Sequence, residues 1–363
     1  MVRICWAGLP IIVLCSCIAI YGLQQATPAL AREAWRPAST ATPSSTRSTE
    51  AFTTEMPTST TWSDMFPTEG LISLRGKNLI LAGDSNDRNF FHLLCHYATG
   101  KSDQVQYIRK LEIASGEYSG LITWPTEAAT MTCHDRSRNA SLMFLFHQGV
   151  YSLPPQPDWF LEFVQRRLGT HGIGVRGKAR VVPTTDLARN IWPEAIQQNL
   201  LIRPMILLLQ SSMWDSFPVL EKIIGTRVSQ MTDAGEAKIK TAVFCKENLT
   251  EWGWMGRAEQ IVSAFEAGLR ERGWQVSSKL WRTNPNCPAL PKQGSVVANP
   301  LSELYADAVK HAILAGGAWS DVCLVDWRGH LRIHDPSQCD HHHYTKAGYM
   351  EYLDALGDCL LLA

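Results

Sequence analysis

Leu79-Ile80-Leu81-Ala82-Gly83-Asp84-Ser85-Asn86-Asp87-Arg88-Asn89 is the stretch whose reading decides the fold. Four apolar residues run straight into a glycine and three small or acidic polar residues, and Phe90, Phe91, Leu94 and Tyr97 then recur at helical spacing. That order is a buried strand, a tight corner and a helix, the unit from which mostly parallel sheets are built. The same alternation continues along the chain. Asn78 to Ala82, Leu142 to Phe146, Met205 to Leu209, Val276 to Trp281 and Val322 to Asp326 read as strands. Ile261, Val262, Phe265 and Leu269, then Leu301, Leu304, Tyr305 and Ala308, and finally Tyr349, Tyr352, Leu353, Leu356 and Leu360 read as helix faces. The expected fold is α/β, with a mostly parallel sheet of about five strands and helices on both faces. In such open sheets the ligand lies beyond the carboxyl ends of the strands, where Ser85 falls.

Upstream of this region the composition changes. Residues 4–23 carry no charge and follow Arg3, which suits one membrane-spanning helix with its N-terminus in the cytosol. A cleaved signal peptide is the other reading, because Ala29-Leu30-Ala31 supplies a small-x-small cleavage pattern. Either way the chain enters the secretory pathway. Between residues 39 and 61, 14 of 23 residues are Ser or Thr, too little apolar surface for a core, so the segment reads as a stem. The expected organisation is an anchor or signal peptide over 1–31, a disordered stem over 32–70 and a catalytic domain over 71–363. Sequons at Asn139 and Asn248 agree with a lumenal route. Of ten cysteines, Cys95, Cys133, Cys245, Cys287, Cys323, Cys339 and Cys359 lie outside the apolar segment, where disulfides are expected and their pairing is not legible.

Lys plus Arg balances Asp plus Glu at 34 each, and no basic stripe is interleaved with aromatics, which argues against nucleic acid as a partner. Chemistry concentrates in two places. Ser85 offers a hydroxyl at the start of a helix, where unpaired backbone N–H groups and partial positive charge suit an oxyanion; the competing role for Ser85 or Asp84 is a helix cap. Far downstream, Cys339-Asp340-His341-His342-His343-Tyr344 lies in a polar loop before the last helix. A serine hydroxyl needs an imidazole to take its proton and a carboxylate to fix the imidazole's tautomer. The Asp-x-x-His spacing selects His343 as base and Asp340 as its partner, with His341 and His342 as fallbacks. A metal site on the His triplet is disfavoured, because adjacent residues diverge and zinc ligands prefer wider spacing. Candidate walls of the site are Gly149, after Phe146-His147-Gln148, and Ser211, Ser212 and Trp214, which follow the strand at Met205 to Leu209. They offer close backbone approach, hydroxyl donors and an indole face for a sugar ring. The bland alternative for Trp214 is core packing.

Gly83-Asp84-Ser85-Asn86-Asp87-Arg88-Asn89 resembles the Gly-Asp-Ser-x-x-Arg-Asn block of the PC-esterase family of GDSL/SGNH-like acyl-esterases, which includes trichome-birefringence-like and sialic-acid or fungal-capsule glycan O-acetyltransferases. Asp340 and His343 match its Asp-x-x-His hallmark. His343-Tyr344-Thr345-Lys346-Ala347-Gly348-Tyr349, Ser211-Ser212-Met213-Trp214-Asp215 and Trp281-Arg282-Thr283 resemble further blocks of fungal members, the second with one residue fewer. The resemblance spans roughly residues 75 to 360. It implies an SGNH-hydrolase-like three-layer α/β/α sandwich, a Ser85, His343 and Asp340 triad, and a contribution of Gly83, Asp84 and Arg88 to the site. The Gly-x-Asn-Asp block of SGNH hydrolases is not evident, and Ser211 and Ser212 stand where it would be. The expectation is acyl transfer, acetyl above all, between an acyl donor and a glycan or polysaccharide hydroxyl in the Golgi, on a type II membrane protein held by residues 4–23 and needing no cofactor. Hydrolysis of glycan esters, a secreted form, a non-catalytic glycan binder and a metal-dependent hydrolase are the alternatives.

Overall fold

A computed structural model describes residues 74–99, 105–113, 120–123, 130–135, 139–152, 158–168, 174–175, 178–179, 204–210, 213–225, 253–271, 273–284, 292–331, 339–340 and 343–362. The apolar segment 4–23, the Ser/Thr-rich stretch, Cys245, Asn248, Cys287, Ser211, Ser212, His341 and His342 lie outside the described residues. Among the described residues no helix is long and apolar enough to cross a membrane.

The chain runs β1 (Asn78–Gly83), α1 (Ser85–Thr99), β2 (Gln106–Ile108), β3 (Lys110–Ile113), β4 (Gly120–Thr123), β5 (Thr130–Asp135), β6 (Ala140–Phe146) and α2 (Asp158–Leu168). It continues through β7 (Gly174–Val175), β8 (Lys178–Ala179), β9 (Met205–Gln210), α3 (Met213–Ile224), α4 (Trp254–Glu271), β10 (Val276–Arg282), α5 (Lys292–Ala315) and β11 (Val322–Val325). The last elements are α6 (Trp327–His330), β12 (Cys339–Asp340), β13 (His343–Tyr344) and α7 (Lys346–Leu362).

A seven-stranded mixed sheet, ordered β11-β10-β9-β1-β6-β5-β2, forms the centre. The five strands expected from apolar runs, β1, β6, β9, β10 and β11, pair in parallel. The expected count of about five is too low, because β5 and β2 extend the sheet as an antiparallel edge. Both lack an apolar run: β5 reads Thr-Met-Thr-Cys-His-Asp and β2 only Gln-Tyr-Ile. Smaller sheets are formed by β3-β4-β7-β8 and by the β12-β13 hairpin.

Every residue of β1, β6 and β9 is buried, as continuous apolar strands covered on both faces must be. Successive side chains of a strand point to opposite faces. On β10, Trp281 meets Trp254 of α4, while Arg282 meets Asp87 of α1 and Tyr352 of α7. Helices α1 and α7 thus cover one face and α4 the other. Bonds Cys95–Cys133 and Cys323–Cys359 tie α1 to β5 and β11 to α7, each on that first face.

From β1 the chain moves to β6 on one side, and later returns to β9 on the other. The carboxyl end of β1 is therefore a topological switch point, where connections diverge and leave a crevice. Ser85 stands there.

Candidate active site

Asp84 starts α1. Its Oδ1 accepts the Asn86 backbone N–H at 2.8 Å, and its carbonyl accepts the N–H of Arg88 at 3.0 Å. Asp87 answers reciprocally: its Oδ2 accepts the Asp84 backbone N–H at 3.0 Å. This is a capping box with aspartate at both ends. The cap is Asp84, so the Ser85 hydroxyl, one residue into the first turn, is directed elsewhere. Ser85 Oγ lies 3.0 Å from Nε2 of His343, 258 residues away in sequence. Both side chains are half-buried.

The base is held by an aromatic stack. Next to His343, buried Tyr344 packs on Trp327 with ring centroids 4.5 Å apart, and Trp327 stacks on Tyr352 at 4.5 Å. Tyr352 in turn stacks on Phe90 of α1 at 3.7 Å, and the Trp327 indole N–H donates to the Gly348 carbonyl at 2.9 Å. In the β12-β13 hairpin, the register places Asp340 directly opposite His343. The Asp-x-x-His spacing is thus realised as a cross-strand pair.

Beneath Ser85 sits a buried ion pair that sequence reasoning missed. Asp87 Oδ2 accepts from Arg282 Nη2 at 2.8 Å, and Asp87 Oδ1 accepts from the Tyr352 hydroxyl at 3.0 Å. Arg282 Nη2 also lies 4.0 Å from Asp84 Oδ1, and Nη1 donates to the Thr283 carbonyl at 3.2 Å. The guanidinium lies over the rings of Trp327 at 5.1 Å and Tyr352 at 5.5 Å. Burial pushes the Asp87 carboxyl up to about 6, while the Arg282 charge pulls it down and Asp84 adds to the rise. Burial also works against the Arg282 charge, yet Asp87, Tyr352 and Asp84 together hold Arg282 above its ordinary value. The guanidinium stays charged throughout, and above about pH 6 the pair is ionised. The legible signal was an arginine closing a strand directly after Leu280 and Trp281; its partner, 195 residues away, was not legible.

Two glycines admit carboxylates against the backbone. A Cβ at Gly83 would collide with the Asp87 carboxylate, and one at Gly149, whose φ is 87°, with that of Asp215. The His147 N–H donates to the Gly83 carbonyl at 2.7 Å, so His147-Gln148-Gly149 lies beside the Ser85 corner. Arg88 is half-buried, with Nη2 3.2 Å from Asn89 Oδ1. Trp214 is half-buried and makes edge-to-face contacts with Phe146 and Phe163, each at 6.0 Å. Two further buried side chains at these strand ends have amide atoms with no hydrogen-bond partner among the described residues: Gln148 Nε2, and both Nε2 and Oε1 of Gln210. Among the described residues no group of three or more His, Cys, Asp or Glu is placed to hold a metal ion.

The arrangement supplies a hydroxyl at a helix N-terminus and an imidazole within proton-transfer distance, at a crevice between strand ends. A scan against protein-family models, a search of curated proteins and a search of solved structures each found no match.

Proposed function

We propose that this protein is a serine-dependent acyl-transferring enzyme with an SGNH-hydrolase-like three-layer α/β/α sandwich. It moves an acyl group, acetyl in the simplest case, to or from hydroxyls of a glycan in the secretory pathway. The observation that carries this reading is the 3.0 Å approach of His343 Nε2 to Ser85 Oγ at the carboxyl end of the central strand. In the proposed sequence Ser85 Oγ attacks the acyl carbonyl carbon as its proton passes to His343 Nε2. The tetrahedral oxyanion collapses, and the departing group takes that proton from His343. A sugar hydroxyl, or water, then attacks the acyl-enzyme and gives its own proton to His343, which returns it to Ser85.

Asp340, opposite His343 in the hairpin, is assigned to orient the imidazole. The backbone N–H of Ser85, the first residue of α1, is assigned to the oxyanion, since Asp84 already accepts the N–H groups of Asn86 and Arg88. The anchor at residues 4–23 and the stem would present the domain to lumenal glycans as a type II Golgi protein, a layout that puts transfer ahead of hydrolysis.

The test is mass spectrometry of the full-length protein in detergent after exposure to an aryl acetate. A gain of one acetyl group on the Ser85 peptide is expected, lost in Ser85→Ala and reduced at least about 100-fold in rate in His343→Ala, the lower range for a lost general base. Equal turnover by all three proteins, without an adduct, would overturn the serine mechanism. Adding a glycan acceptor then separates transfer, in which acetyl appears on sugar, from hydrolysis, in which acetate appears.

A further inference from the structure

Solvent-facing positions of α1 form a strip that starts at Ser85. Arg88, Asn89, His92 and His96, like Ser85, are only partly buried, and they follow Ser85 at helical spacing along one face. The strip does not end on the helix. At His92, about 10 Å along the axis from Ser85 at about 1.5 Å per residue, it meets the edge strand β2. The Tyr107 hydroxyl is 3.0 Å from His92 Nε2, and the two rings lie 5.8 Å apart. Tyr107 is 40% exposed, a large aromatic ring left open to solvent at the sheet edge. The guanidinium of exposed Arg109 sits over that ring, 5.9 Å from its centroid.

Register fixes where this patch lies. Leu81 pairs with Phe144, Phe144 with Met131, and Met131 with Tyr107. Arg109, two residues further on, is therefore level with Gly83, three strand spacings or about 14 Å across the carboxyl edge. Burial and, after it, the Arg88 charge hold His92 below its ordinary value, so the ring is neutral at neutral pH. Arg88, Arg109 and Lys110 are then the charges along the strip. Among the described residues Arg109 has no carboxylate partner.

We propose that this strip, from Ser85 along α1 to Tyr107 and Arg109, is an acceptor subsite for a carboxylate-bearing glycan. The inference rests on the acyl-transfer reading for its direction, since the sugar to be modified would sit at Ser85. Its recognition chemistry is separate. An open aromatic ring offers an apolar face to a pyranose, and a guanidinium takes a carboxylate in bidentate fashion. A neutral chain would leave the Arg109 charge without a carboxylate among the described residues. Arg109, between β2 and β3, would take a phosphate as well as a carboxylate, and it is the open Tyr107 ring beside it that favours a sugar.

The test is binding to the full-length protein in detergent, using oligogalacturonate, oligoglucuronate and sialylated oligosaccharides. Each is paired with its neutral counterpart, methyl-esterified or desialylated. At least one acidic member is expected to bind about tenfold or more tighter than its neutral pair. That preference is expected to fall about tenfold in Tyr107→Ala and in Arg109→Gln, to weaken with added salt, and to persist in Ser85→Ala. Labelling of Ser85 by aryl acetate, which needs no acceptor, is expected to be unchanged in Tyr107→Ala and Arg109→Gln. Equal binding of every acidic and neutral pair, or binding indifferent to both substitutions, would overturn the proposal. So would coenzyme A binding lost with the same two substitutions, which would make the strip a donor site. Acidic-glycan binding without Ser85 labelling would instead sink the serine mechanism and leave the subsite standing.

Discussion

Ser85 can reach His343 because its neighbours do the structural work of the corner. Asp84 caps the helix, Asp87 caps the cap, and Gly83 makes room for the Asp87 carboxylate. Gly83→Ala is expected to lose aryl-acetate labelling of Ser85 and to lower unfolding stability by about 1–3 kcal/mol, the usual cost of overpacking, measured by denaturant titration. Asp87 makes a prediction in pH. Its folded value of about 6 lies above the ordinary 3.8, so the folded protein holds this proton at pH values where the unfolded chain has released it. Its contribution to stability is thus fully present below about pH 3.8 and is lost as pH rises through about 6. The stability of the wild type relative to Asp87→Asn is expected to fall between pH 4 and pH 6.5, by on the order of 3 kcal/mol, and then level off. A difference that grows over that window would contradict the assignment. In the sequence Gly83, Asp84 and Ser85 stood out as a site. What each does there was legible only as alternatives, because a cap and a nucleophile draw on the same residue types.

At the scale of elements, the corner is held from three directions. Arg282 closes β10 and reaches Asp87 on α1; Tyr352 reaches the same carboxylate from α7; Tyr349, also on α7, donates to Asn86 Oδ1 at 3.2 Å. Strand and helix patterns identified β10, α1 and α7 separately, but a pairing across 195 residues leaves no trace in periodicity. Arg282→Met is expected to cost about 3–5 kcal/mol, because it strands a buried carboxylate. The double variant with Asp87→Asn should recover a substantial part of that loss, a coupling that a double-mutant cycle measures. Arg282→Lys is not expected to rescue, since a point charge lacks the planar fork held over Trp327 and Tyr352. The hairpin is the matching case on the base side: Tyr344 is clamped by Trp327, and His343 follows its position.

Over the whole described fold, the parallel strands bring several candidate groups to one edge. Gly83, Gly149, Gln210 and Arg282 close or follow neighbouring strands, and the switch point at β1 opens the crevice among them. Two disulfides, each closing a loop of nearly 40 residues, hold the face that carries α1 and α7. Replacing Cys323 and Cys359 by serine is expected to cost about 3–4 kcal/mol, the loop-closure value for that length. Peptide mapping without reduction should recover Cys95 with Cys133 and Cys323 with Cys359. By itself the sequence determined the α/β class, five parallel strands and the helices between them, because those follow from local apolar runs and periods that each segment carries alone. It also offered Ser85, after an apolar strand, and far downstream the Asp340-x-x-His343 spacing as candidates, because each of those two local patterns is carried by its own segment. Only the tertiary structure decided the antiparallel edge of β5 and β2, the two disulfide pairings, the Asp87–Arg282 pair and the approach of His343 to Ser85. Each joins residues dozens to hundreds of positions apart, and such contacts are selected by how sheets and helices pack rather than by any pattern along the chain.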